Sequence, residues 1–345
     1  MKYFSSILAG LLLLILNIES AQAVGPTYLK DSITVSTNWT KDNSPYVLQN
    51  DITVAKGAVL TIDPGVEVRF VVPTTGKVGS GPNLVIAGGL KAVGSSAAPI
   101  MFGPAVTGSL WGAIYFYNSD AMNSVLQGCM VKGGRIVCNG SSPTITQCSI
   151  YGAKTGLEIA LNSQPQIINN RITANGIGVL VLSDTASPVI TNNEIYGNNY
   201  GVCLKDFGAA NISSNKIYNN IHYNFVNYSA KPLAIPSNDF RMVDAQQIMK
   251  TIYDGAYNAN LGRLNFMPFA GMATGQTAPV VAAAPAGTVT QEKPQIQEEE
   301  FWSYGRPFDA MKISNVDQQK KKPSSAVKIL AVGATAVVTV VLLFL

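Results

Sequence analysis

The chain has 345 residues, 13% of them charged, and a formal net charge of +4. That length holds one long domain with appendages, and the absence of a basic stripe with interleaved aromatics argues against nucleic acid as a partner. A single histidine, His222, and no Cys-x-x-Cys spacing argue against a zinc site.

Residues 1–23 read as an export signal. Lys2 supplies the positive start, residues 7–16 the apolar stretch, and Ala21-Gln22-Ala23 the small-x-small cleavage pattern. Export places the body on the periplasmic or extracellular side, where disulfides are permitted. Residues 24–50 read as an irregular lead-in or N-terminal cap. Short strands then follow at close spacing, over 51–54, 58–62 and, after the Asp63-Pro64-Gly65 turn, 66–70. Residues 83–116 continue them.

A four-fold echo follows. Ile145, Ile167, Ile190 and Ile212 recur every 22 or 23 residues, and Ile150, Ile172, Ile195 and Ile217 recur five positions later. Between them runs a polar column: Cys129, Cys148, Asn170, Asn193 and Asn215. Glycines follow at 156, 178 and 201. Fixed-period similarity of this length means stacked units, each too thin to bury its own apolar face. Asn and Gly at the corners tolerate the left-handed backbone that a sharp turn needs. Identical Asn side chains one coil apart predict a buried amide ladder.

The same register places Ser149, Arg171, Glu194 and Lys216 in one outward column. Opposite charges stacked there would contribute roughly 0.2–1 kcal/mol a pair; a catalytic role for them stays open. Asn162, Asp184 and Asp206 share a turn position at the repeat spacing, where either solvent or Ca²⁺ would meet them. Cys129 and Cys148 fall one coil apart. Strand spacing near ~4.8 Å is wide for the usual disulfide Cβ separation of about 3.8 Å, which favours buried free thiols over a bridge.

Residues 244–254 carry the helical spacing of a cap over the open end, within a C-terminal cap spanning 241–270. Residues 271–328 read as a disordered linker, marked by Pro279, Pro285, Pro294 and the acidic run 298–300. Inside it, Trp302, Tyr304, Arg306 and Phe308 form an aromatic segment that either binds a partner or folds back on the solenoid. Residues 329–345 are uncharged. They would reach about 26 Å as a helix, enough for a short transmembrane anchor. Lys320, Lys321, Lys322 and Lys328 would then rest on anionic headgroups. A removable lipid-anchor signal is the other reading.

The repeats over 142–220, the opening segment 56–70 (KGAVLTIDPGVEVRF), Pro99-Ile100-Met101-Phe102 with 108–116 (GSLWGAIYF), and the closure 252–255 with 261–269 (LGRLNFMPF) resemble exported right-handed parallel β-helix repeat proteins of the pectin-lyase-like fold. The resemblance implies an all-β, right-handed parallel β-helix solenoid over 51–240; the linker and the C-terminal transmembrane helix read from composition would follow it. Enzymes of that fold cleave or epimerise acidic polysaccharides, and they need a base, a charge-stabilising Arg or Ca²⁺, and often a His or paired Asp. No His-Gly pair, Asp-Asp pair or Asp-Pro-His-Asp run occurs here. The outward positions Glu158, Leu180 and Cys203 do not form a catalytic column. The reading that follows is a non-catalytic, membrane-anchored envelope protein, a scaffold or binder for cell-wall glycan or an envelope protein, with no cofactor apart from the Ca²⁺ question. A polysaccharide lyase, hydrolase or epimerase is the first alternative. An accessory protein of metalloenzyme maturation is the second, with Met267 and Met272 as its few soft ligands.

Overall fold

Each repeat folds as one coil of three short parallel strands. In the coil formed by Val189–Thr191, Glu194–Tyr196 and Tyr200–Asp206, Ile190, Ile195, Val202 and Leu204 point inward and are fully buried. Their neighbours along each strand point outward, because side chains alternate faces with a period of two. Asn192 takes φ 57° at the first corner and Gly197 takes φ 62° near the second. These residue types adopt that backbone at the lowest cost.

The computed structural model describes residues 25–74, 81–118 and 124–273. The chain divides into two compact units, Met1–Gln295 and Ile296–Leu345; every described residue belongs to the first. The signal segment, the linker from 274 onward, Trp302, Tyr304, Arg306, Phe308 and the apolar segment 329–345 lie outside the described residues. Among the described residues no helix is long and apolar enough to cross a membrane.

Stacking of the coils produces three parallel sheets. Two have nine strands and one has eight. Sheet A runs through Cys129–Lys132, Ser149–Tyr151, Arg171–Thr173, Glu194–Tyr196 and Lys216–Tyr218. Sheet B runs through Ala113–Tyr117, Arg135–Asn139, Thr155–Ile159, Ile177–Leu182, Tyr200–Asp206 and Tyr223–Asn227. Sheet C runs through Val125–Gln127, Thr144–Thr146, Gln166–Ile168, Val189–Thr191 and Asn211–Ser213. The isoleucine echo is in register: Ile145 faces Ile167, Ile190 and Ile212 in turn. Buried columns of this kind make one continuous core, the nearest-neighbour arrangement of a solenoid.

Strands begin at Thr27–Leu29, inside the stretch that reads as a lead-in. Thr37–Trp39 joins sheet C and Tyr46–Leu48 joins sheet A. Trp39 stacks on Tyr46 at 4.7 Å in this first part of the core. At the other end the helix is Ala245–Lys250, shorter than its sequence pattern. Asp244 caps it by accepting the Gln246 N–H at 2.8 Å. It stops because the Thr251 hydroxyl and N–H both take the Ile248 carbonyl, and Ile252–Tyr253 leaves to pair with sheet B. Phe240, Phe266 and Phe269 pack beneath it and end the core.

Candidate functional site

The C-to-A corner of the solenoid is set by a hydrogen-bonded rail. Asn170 donates its amide to Asn193 Oδ1 at 3.0 Å, Asn193 to Asn215 Oδ1 at 3.0 Å, and Asn215 to Asn238 Oδ1 at 3.1 Å. Each Oδ1 also accepts a backbone N–H from the coil before it, starting with Cys148 N–H to Asn170 Oδ1 at 2.9 Å. The amides also donate to backbone carbonyls of the preceding coil, as Asn193 does to Ile167 at 2.8 Å. Each amide is therefore fully used, which burial demands.

Cys129 and Cys148 continue the column. Both are buried free thiols, and each lies against the backbone carbonyl two residues before it, Gln127 at 3.3 Å and Thr146 at 3.2 Å. The neighbouring Cys148 thiol, and burial with it, push the Cys129 thiol well up, while the Cys129 thiol holds that of Cys148 below its ordinary range. The rail ends on Asn238, whose own amide donates to the Ile212 and Ile235 carbonyls. A second rail at the A-to-B corner, Asn175, Asn198, Asn220 and Asn224, repeats the pattern at 2.9–3.0 Å. Its signal was in the sequence: three of the four repeats carry Asn-x₄-Asn, at Asn170/Asn175, Asn193/Asn198 and Asn215/Asn220.

Above the first rail lies a groove of about 630 Å³. One wall is the column of left-handed corner residues Gln147, Asn169, Asn192 and Ser214, with φ between 53° and 59° and side chains exposed. The other wall is Ser149, Arg171, Glu194 and Lys216, which pair in register across sheet A. Cys148, Asn170 and Asn193 form part of the lining. One rung of each wall therefore repeats per coil, about 4.8 Å apart.

The charges of that column do not pair along it as a simple ladder. Arg171 donates to the Tyr196 hydroxyl at 2.6 Å, and the Tyr218 hydroxyl donates to Glu194 at 2.9 Å. Tyr196 and Tyr218 stack at 5.3 Å with 4° between their planes. Arg171 lies 5.2 Å from the Tyr196 ring centre and Arg241 lies 5.5 Å from that of Tyr218. The ring faces of Tyr196 and Tyr218 meet each other, Arg171 meets Tyr196 at its hydroxyl edge, and Lys216 and the corner side chains are exposed beside them.

The acidic turn column is corrected. The register of sheet B shifts after Val181, so Asp206 pairs with Leu182 and not with the Asp184 position. Asp206 ion-pairs with Lys231 at 3.1 Å and accepts from the Phe207 N–H and the Ser229 hydroxyl. Burial opposes this arrangement, but these donors hold the carboxyl below its ordinary range. Asn162 binds Thr185 Oγ1 through its backbone N–H. Among the described residues no three His, Cys, Asp or Glu side chains converge on a common point.

Sheet B presents a different outer face. Tyr115, Val137, Glu158, Leu180, Cys203 and Val226 form its outward column, and each is buried. Glu158 is ion-paired with Arg135 at 3.2 Å. Burial nevertheless pushes its carboxyl above the ordinary range, and Arg135 pulls it only part of the way back.

Residues 105–240 match the family model for the right handed beta helix region. Neither the curated proteins nor the solved structures contain a match to the chain.

Proposed function

We propose that this chain, a right-handed parallel β-helix repeat protein, is a non-catalytic binding module of the cell envelope, and that its ligand is an extended glycan lying along the solenoid axis on the groove of sheet A. The observation that supports this is the groove itself: two walls of hydrogen-bonding side chains that repeat once per coil, with exposed Arg171 and Lys216 on one wall and exposed Asn169 and Asn192 on the other. A linear polymer of polar units meets such a row with one set of contacts per coil. The carboxylate of that wall, Glu194, is held by the Tyr218 hydroxyl, which suits it to orientation of its neighbours. In this reading residues 1–23 export the body, residues 329–345 hold it at the membrane, and the segment with Trp302, Tyr304, Arg306 and Phe308 is a second contact for an envelope protein.

The full chain should be screened on a polysaccharide array with Ca²⁺ and with EDTA, with reducing ends and unsaturated products assayed in parallel. The reading expects retention of a glycan without turnover. It also expects about ten-fold weaker retention, ~1.4 kcal/mol, for Lys216→Ala. Turnover of a retained glycan would make the protein an enzyme and overturn the reading.

A further inference from the structure

The asparagine rail begins on two sulfurs. Cys129 and Cys148 hold the rail position in successive coils, and both are buried free thiols. They make the same contacts one coil apart. Cys129 Sγ lies 3.3 Å from the Gln127 carbonyl oxygen and 3.6 Å from that of Ala92. Cys148 Sγ lies 3.2 Å from the Thr146 carbonyl oxygen and 3.5 Å from that of Leu126. Thr146 pairs in register with Gln127, and Leu126 with Ala92. One sulfur is therefore the other moved by a single coil step, about 4.8 Å. That separation is more than twice the ~2.05 Å of a disulfide bond. It matches two metal–thiolate bonds laid end to end, at about 2.3 Å each.

We propose that Cys129 and Cys148 form a two-coordinate site for a soft monovalent cation, Cu(I), held as a thiolate–metal–thiolate bridge between adjacent coils. Thiolates select soft ions. A structural Zn²⁺ site takes four ligands, and among the described residues no three His, Cys, Asp or Glu side chains converge; a two-coordinate ion needs no third. Binding exchanges one proton from each thiol for the cation, with no change of oxidation state, and leaves one net negative charge on the bridge. The frame is fixed beforehand, because the Cys148 N–H donates to Asn170 Oδ1 at 2.9 Å. The other two cysteines have no such partner in register: Cys138 stands between Phe116 and Ile159, and Cys203 between Leu180 and Val226. The pair is reached from the groove, which Cys148 lines. Beside it, on the outer face of sheet A, Met101, Met130 and Ser149 succeed one another in register, and Met101 is 44% exposed. A soft cation nearing the pair from that end of the groove meets two thioethers first.

The full chain, reduced and kept free of oxygen, is titrated with Cu(I) against a chromophoric Cu(I) chelator, and X-ray absorption is recorded on the loaded chain. The expected result is one Cu(I) per chain with a first shell of two sulfurs. Cys129→Ser and Cys148→Ser should each weaken binding at least about 100-fold, the upper end of what loss of an outer-shell partner alone costs a metal site. Cys138→Ala and Cys203→Ala should leave it unchanged. Circular dichroism of each variant without metal verifies the fold. The absorption measurement uses the unaltered chain, so it decides the matter even where a variant fails to fold. No capture of Cu(I) from the chelator, or a first shell other than two sulfurs, would overturn the proposal. So would full affinity in a folded Cys129→Ser or Cys148→Ser chain.

Discussion

A buried asparagine in this solenoid is fixed by the number of bonds it makes. Asn193 Oδ1 accepts twice, from the Asn170 N–H and amide, while its own amide reaches Ile167, Thr191 and Asn215. Removing that side chain strands donors and acceptors on three coils at once. Each buried polar group left without a partner costs about 1–3 kcal/mol. Asn193→Ala should therefore lose about 3–5 kcal/mol in urea unfolding. The adjacent Asn192 is exposed and needed for its left-handed backbone, so Asn192→Gly should change stability by no more than about 0.5 kcal/mol. Equal losses at the two positions would contradict the rail account.

Glu158 makes a second residue-scale prediction. Burial raises its folded-state carboxyl above the ordinary range despite Arg135. The native state then binds the proton more tightly than the unfolded chain does. This contribution is favourable at low pH and is lost as pH rises from the ordinary carboxylate range through the raised folded value. Glu158→Gln should flatten the fall of unfolding free energy over that window. An unchanged slope would show that the group titrates normally in the folded protein.

At the scale of the element, the three-residue strands of sheet A are held between two rails, and glycine allows the second rail to close. A Cβ on Gly178 would lie 2.6 Å from the Gly201 carbonyl oxygen and 3.1 Å from the Asn198 amide nitrogen. The backbone there cannot yield without pulling the rail apart. Gly178→Ala should cost on the order of 2–3 kcal/mol, whereas Gly197→Asn at the exposed left-handed corner should be tolerated. Thermal unfolding of the two variants separates these cases.

The repeating coils were legible because isoleucine recurs at a fixed spacing as core, and asparagine recurs as buried rail or left-handed corner. The strands over 27–48 were less legible. They have no period to betray them, and their partners in sheets A and C lie a whole coil away in sequence. The register shift after Val181 was invisible for the same kind of reason. A one-residue bulge leaves the spacing of Asp184 and Asp206 intact while separating them in space. The groove could be placed from the outward column of Arg171, Glu194 and Lys216. The tyrosines that engage Arg171 and Glu194 could not, because their hydroxyls reach diagonally across coils.

Seen as a whole molecule, the solenoid has three outer faces with three chemistries. Sheet A is polar and charged beside an open groove. Sheet C over 125–213 carries uncharged Thr, Val, Gln, Ile and Asn. On sheet B the outward column from Tyr115 to Val226 is buried, Glu158 included. Because the faces repeat with the coil, a ligand on sheet A is read along the axis and its contacts accumulate coil by coil. Contact with more coils should therefore raise affinity until the ligand outgrows the groove.

The measurement that tests this most directly is calorimetric titration of the full chain with oligosaccharides of increasing length from the glycan that the array identifies. The account predicts a dissociation constant that falls with each added sugar until the ligand spans the coils from Gln147 to Ser214, about 14 Å along the axis, and then levels off. It also predicts that Lys216→Ala weakens the long ligands by about ten-fold, ~1.4 kcal/mol. An affinity independent of length, or one untouched by Lys216→Ala, would contradict an axial groove and return sheet A to the role of a solvated surface.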